Sequence, residues 1–187
     1  MTGSIEKLEK EYDIHVKWRA FPLHPDTPEQ GLALEALFQK KGIPLNVDKV
    51  MEQLKAAAAK FGLALGDRKM TYNSRLAQEV GLWAETKGQG HPFHMETFKA
   101  YFVEGVNIAQ KDVLLNLIQR SGLDPREGES IIDKRTFSTA VDSDWDLSRK
   151  AGITAVPTFR MGLDKLVGAQ SYETLKKLVD KYTDTAS

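Results

Sequence analysis

The chain opens with helical spacing: Ile5, Leu8 and Tyr12 recur on one face while Glu6, Lys7, Glu9 and Lys10 face water. The period then changes to two. Ile14, Val16, Trp18 and Ala20 fall on one side and His15, Lys17 and Arg19 on the other, which predicts a half-buried strand over residues 14–21. Pro22, Pro25 and Pro28 stop regular pairing there, because proline lacks the ladder donor and fixes φ.

Residues 29–150 carry only helical periodicity. A first helix holds Leu34, Leu37 and Phe38 and stops near Gly42. A second, capped at Asn46, is expected to bury Val50, Met51, Leu54, Ala58 and Phe61. A third starts near Asn73 and runs through Leu76, Val80 and Trp83 to Gly88. A fourth has Pro92 in its first turn, then Phe98, Tyr101 and Phe102, and ends near Gly105. A fifth holds Val113, Leu114, Leu117 and Ile118 ahead of Gly122. Asp124-Pro125 opens the last stretch, through Ile131, Phe137 and Val141, with a break expected before Trp145. Proline just inside a helix start and glycine just past its end is the asymmetry helix termini favour. Beyond residue 150 the pattern changes again: a strand at residues 158–161, a turn at Gly162-Leu163-Asp164, a partner strand to Val167, then a helix capped by Ser171 with Leu175, Leu178, Val179 and Tyr182 on its apolar face.

Composition narrows the chemistry. Among 187 residues, Lys plus Arg and Asp plus Glu both number 26, so the formal charge is zero. A neutral chain has no global attraction for phosphate backbones or anionic surfaces, which argues against nucleic acid and membranes as partners. No apolar run approaches the ~20 residues needed to span a bilayer. There is no cysteine, which removes disulfides, thiolate metal sites and cysteine nucleophiles from this chain. Met1-Thr2-Gly3-Ser4 leads straight into a charged segment with no signal-peptide pattern.

Other candidates are better explained by structure. His91 and His94 are spaced for one helix face, but two histidines are too few for a metal site, and capping by His91 is the simpler expectation. Ser4 and Ser171 stand at helix starts, where capping accounts for them. Trp83, Phe98, Tyr101 and Phe102 keep helical spacing and are expected in the core. Neither G-x-x-x-x-G-K nor G-x-G-x-x-G occurs.

One segment is more specific. Gly152-Ile153-Thr154-Ala155-Val156-Pro157-Thr158-Phe159, followed by a hairpin and Gly168-Ala169-Gln170, resembles the end of DsbA-family proteins. Trp18-Arg19-Ala20-Phe21-Pro22-Leu23-His24-Pro25 is similar to the strand and exit loop of the family's FrnE-like branch. Asn73-Ser74-Arg75-Leu76-Ala77 and Phe98-Lys99-Ala100-Tyr101-Phe102-Val103-Glu104-Gly105 resemble its helical insertion. The resemblance implies an α/β fold: a thioredoxin-like sheet built from residues 1–28 and 151–187, interrupted by an all-helical insertion at 29–150. It implies a cis Val156–Pro157 bond, with Ala155, Val156 and Pro157 shaping a groove for extended substrates and His24 near its rim.

The family's redox chemistry belongs to a strand and Cys-x-x-Cys ahead of the first helix, and this sequence begins inside that helix. An upstream segment carrying the dithiol is therefore expected, and without it the sheet lacks its first, central strand. As it stands the chain has no thiolate with which to attack a disulfide. The resemblance thus implies a cytoplasmic protein thiol–disulfide oxidoreductase or isomerase, redox-inactive in this form and needing no cofactor. Its partners would be protein or peptide thiols and disulfides, with glutathione a further one. Two alternatives stand beside it: a non-catalytic peptide-binding or adaptor protein, and a relative of kappa-class glutathione transferases and hydroxychromene-carboxylate isomerases. A homodimer in which a neighbour fills the vacant strand position is a further expectation.

Overall fold

The computed structural model describes residues 2–40, 42, 46–59, 62 and 64–183, with Thr2 described in its backbone only. Two compact units emerge, Met1–Leu23 with Asp144–Ser187, and His24–Ser143.

In the first unit, helix α1 (Thr2–Glu11) buries Ile5 and Leu8, and helix α9 (Tyr172–Thr183) buries Leu175 and Val179. Packed with them is an antiparallel hairpin, β3 (Thr158–Met161) and β4 (Asp164–Val167), in the register Thr158↔Val167 to Met161↔Asp164. Alternation along the strands turns Phe159, Met161 and Leu166 to one face, where they pack with Leu8, Leu175 and Val179; Tyr12 and Ile14 join the same cluster. The turn is tight because Gly162 takes φ +55° and has the Tyr182 ring against it, where a Cβ would come within 2.4 Å of a ring carbon. The Tyr182 hydroxyl accepts from Leu163 N–H at 3.1 Å and donates to Asp164 Oδ2 at 2.8 Å, pinning the turn to α9. Ser171 Oγ accepts from Thr174 N–H at 3.2 Å, the cap expected of it.

Residues 14–20 correct one expectation. Burial alternates at every step as the sequence pattern requires, yet they belong to no β-ladder among the described residues. Side chains hold them instead. Val16 N–H donates to Glu9 Oε1 at 3.0 Å, Ala20 N–H to Asp144 Oδ2 at 3.0 Å, and Arg19 Nη1 to Asp144 Oδ1 at 2.7 Å. Carboxylates rather than a neighbouring strand thus take the N–H groups of Val16 and Ala20. Asp144 is 4% exposed, and two charge-assisted donors from one segment offset its desolvation.

The second unit is mostly helical. Its core brings together Val80, Trp83 and Ala84 of α4 (Arg75–Thr86), Phe93 and Ala100 of α5 (Gly90–Phe102), Leu114, Leu117 and Ile118 of α6 (Lys111–Arg120), and Ile132 of α7 (Pro125–Asp133). A smaller cluster joins Leu34 and Leu37 of α2 (Leu34–Lys40) to Val47 and Met51 of α3 (Val47–Ala59). Inside the helical interval sits one short pairing, β1 (Leu32–Ala33) with β2 (Met70–Thr71), which periodicity did not indicate because two residues carry no period. Among the described residues the β-structure is therefore reduced to two two-stranded ladders within a largely helical chain.

Several local expectations change. The break falls at residues 134–137, where Arg135 takes φ +50°, and α8 (Ser138–Lys150) runs on through Trp145. Leu54 is 47% exposed, so α3 is anchored by Val47 and Met51 instead; Phe61 lies outside the described residues. Phe98 and Phe102 sit at the surface, whereas Trp83 is buried. Position Gln89, not His91, caps α5, with no side-chain cap bond, and Ser4 lies within α1 rather than at its cap.

Candidate functional site: the Ala155–Pro157 segment and the open edge of β3

Helix α8 ends in a tight wrap: Ala151 N–H donates to Leu147 O, Gly152 N–H to Arg149 O and Ile153 N–H to Ser148 O, with Gly152 at φ +62°. The chain then passes through Ala155, Val156 and Pro157 into β3, and the Val156–Pro157 bond is cis. Two bonds fix this segment. Thr158 Oγ1 donates to Ala155 O at 2.7 Å, and Gly168 N–H donates to Pro157 O at 2.8 Å. The second extends the hairpin register by one pair. It also sets the parity of the ladder: Pro157, Phe159 and Met161 direct their backbone polar groups to β4, so Thr158 and Arg160 direct theirs to the opposite edge.

No strand among the described residues pairs with that edge. Ala155 and Pro157 are half-buried, and Val156 is 43% exposed. The segment thus presents an exposed aliphatic side chain beside a strand edge whose N–H and C=O groups face outward. Such an edge can accept one extended segment by main-chain hydrogen bonds, with side-chain pockets alternating along it.

His24 is half-buried and falls in the second unit, apart from the segment just described in the chain's division. Its carbonyl accepts from Thr27 N–H at 3.2 Å, and the loop is tied to the start of α4 by Asn73, whose Nδ2 donates to Pro25 O at 3.1 Å and Thr27 O at 2.8 Å while its Oδ1 accepts from Arg75 N–H at 2.9 Å. That explains why an asparagine stands ahead of α4. His94 is largely buried against Phe98, and burial, reinforced by the nearby His91, lowers its pKa to about 4. Glu85 Oε1 at 3.7 Å from Nδ1 favours the imidazolium, but that carboxylate is 40% exposed and screened by water, so burial wins. No group of three or more potential metal ligands occurs among the described residues.

Thr158, which holds Ala155 O, and Asp144, which holds Arg19 and Ala20, were not singled out by sequence. Thr158 reads only as the first residue of a strand. Asp144 is one of three aspartates in α8, with nothing in the sequence to mark it as the buried one.

A hairpin that follows an X-Pro segment, packed with the first and last helices of a chain whose middle is largely helical, is the pattern of a thioredoxin-like chain of the DsbA type. The chain belongs to the family of the DSBA-like thioredoxin domain, whose pattern matches residues 1–180. It is 26% identical to the uncharacterised protein YwbO of Bacillus subtilis (strain 168), over 95% of this chain and 86% of that protein. In fold it is similar to the crystal structure of SCO1869 from Streptomyces coelicolor, described as a probable DsbA oxidoreductase, with a TM-score of 0.85, 19% identity, and coverage of 96% of this chain and 82% of that one. A 2-hydroxychromene-2-carboxylate isomerase is similar with a TM-score of 0.71 and 18% identity, over 98% of this chain and 90% of that one. The family's fold is present, while the 187 residues contain no cysteine and hence no thiol to exchange with a disulfide.

Proposed function

We propose that this chain supplies the extended-peptide-binding part of a DsbA-type thiol–disulfide protein of the FrnE-like branch, acting in the cytoplasm on protein or peptide partners. One observation carries the reading: the outward edge of β3, at Thr158 and Arg160, begins directly after the half-exposed Ala155, Val156 and Pro157. A partner strand laid along that edge would gain main-chain bonds without disturbing the β3–β4 ladder, and Val156 would contact its side chains. The cytoplasmic assignment rests on the resemblance. The geometry adds that no described helix is long and apolar enough to cross a membrane. His24 belongs to this reading as a rim residue, and glutathione as a small thiol partner. A second copy of the chain is a further candidate for the same edge, since unpaired edges of two molecules satisfy each other.

The test uses cysteine-free extended peptides of alternating β-branched residues, titrated into isotope-labelled protein. Amide shifts concentrated at residues 155–161 are expected. Replacing Arg160 by proline removes an outward N–H while sparing those bonded to β4, and should weaken binding severalfold. Shifts spread evenly over the chain, or an Arg160→Pro protein that binds peptide unchanged, would overturn the reading.

A further inference from the structure

The face of the hairpin opposite the apolar cluster carries a charge arrangement that peptide binding does not use. Arg160 and Lys165 stand directly opposite each other in the β3–β4 register, as a pair that exchanges no backbone hydrogen bonds. Cβ atoms of such pairs lie ~4.5–5.5 Å apart, and like charges there are destabilising. Together with Lys150 and Ala151 from the end of α8, and with Leu147 and Leu163, they line a depression of about 240 Å³. All six residues belong to the first unit.

None of the three cations pairs with a carboxylate among the described residues. The acidic side chains nearest in sequence are committed elsewhere, Asp146 to Arg149 and Asp164 to Lys181. Arg160 Nε donates to Gly162 O at 3.0 Å, which orients the guanidinium and leaves both terminal nitrogens for another acceptor. Lys165 Nζ donates to Ala151 O at 2.8 Å and keeps two further N–H donors. The C-terminus of α8 offsets part of this charge, but a helix end amounts to only about half an elementary charge, and its last carbonyls already accept from Ala151, Gly152 and Ile153. Two to three positive charges remain over one small concavity on a chain whose net charge is zero.

We infer that Lys150, Arg160 and Lys165 form a binding site for a small organic phosphate. A phosphate accepts from a guanidinium fork and from two ammonium groups at once, and its charge would cancel the cross-strand repulsion. Leu147, 42% exposed, and Leu163, 89% exposed, flank the cations and suit an aliphatic portion of the same ligand.

Calorimetry and thermal unfolding of the full chain, at ionic strength held constant with chloride, test this with inorganic phosphate and hexyl phosphate as probes. Saturable binding of both is expected, with hexyl phosphate the tighter, and each should raise the unfolding temperature. Arg160→Glu should weaken binding at least tenfold. It should also unfold no lower than the parent without phosphate, because it replaces a like-charge pair by an opposite one. Lys150→Gln, at a surface position outside the hairpin, should weaken binding severalfold whatever the effect of the first change. A response no larger than that of chloride, variants that bind like the parent, or binding to anionic vesicles with none to either soluble phosphate would each overturn the inference.

Discussion

At the scale of single residues, His94 couples the fold to pH. Its folded pKa of about 4 lies below the ordinary 6.5, so the folded state holds it neutral while the unfolded chain takes up a proton as pH falls. The stability that depends on a neutral His94 is complete above about pH 6.5. It is lost progressively as pH drops toward 4, where the folded form begins to bind the proton too. The full loss is on the order of 3 kcal/mol, since one pKa unit corresponds to ~1.4 kcal/mol. Denaturant unfolding of the parent and of His94→Gln between pH 7 and 4 should show the parent falling more steeply; parallel curves would place the acid sensitivity elsewhere. The position offers little slack, because a Cβ on Gly81 would come within 3.0 Å of His94 Nε2. Nothing in the H-x-x-H spacing reveals this, since burial of a side chain at a helix start depends on which neighbour packs over it.

Whole elements were legible where an apolar period ran long enough to be counted. The helices around Trp83, Leu117 and Val179, the 158–161 strand and the Ser171 cap follow from spacing and turn chemistry alone. The failures have two causes. Alternation at Ile14, Val16, Trp18 and Ala20 specifies an extended, half-buried segment but says nothing about a ladder partner, and here Glu9 and Asp144 take that role. The α7–α8 break was misplaced because Ile131, Phe137 and Val141 remain in step across it. A non-glycine residue at positive φ, Arg135, makes the turn and leaves no sequence signal. Arg135 is held by Glu79, which is 2% exposed: its Oε1 accepts from Arg75 Nε at 2.8 Å and from Arg135 Nη2 at 2.6 Å, and its Oε2 from Arg135 Nε at 2.8 Å. One carboxylate thus ties α4 to the turn between α7 and α8. Glu79→Gln removes the buried carboxylate that two arginines share and should cost roughly 3 kcal/mol in urea unfolding, toward the lower end for such pairs because Arg135 is half in water and Arg75 keeps Asp142. A loss below about 1 kcal/mol would show that the turn is held by packing instead.

For the molecule as a whole, family membership and chemistry diverge. A DSBA-like fold spans residues 1–180, yet there is no thiol in the chain. The purified 187-residue protein should therefore reduce insulin disulfides no faster than buffer with the same added thiol, and should not oxidise reduced ribonuclease. Turnover that survives removal of contaminating thiols would mean a different chemistry. The Ala155-Val156-Pro157 segment, with its cis bond, was legible through the family's short motif. The basic depression was not, because Lys150, Arg160 and Lys165 are scattered in sequence and meet only through hairpin register and the end of α8.

The three tryptophans give this fold a built-in optical reporter. Trp83 is 2% exposed in the helical unit, and its indole N–H has no hydrogen-bond partner among the described residues. Trp18 and Trp145 are half-buried in the other unit. An indole in an apolar cage emits at short wavelength and is shielded from collisional quenchers, whereas the other two meet water. Acrylamide should therefore quench the red side of the emission band first and leave a blue remainder that belongs to Trp83. Trp83→Phe should erase that remainder and shift the whole band to the red. During denaturation the blue and red components then follow the helical unit and the hairpin unit separately, so that a single cuvette can report whether the two melt together.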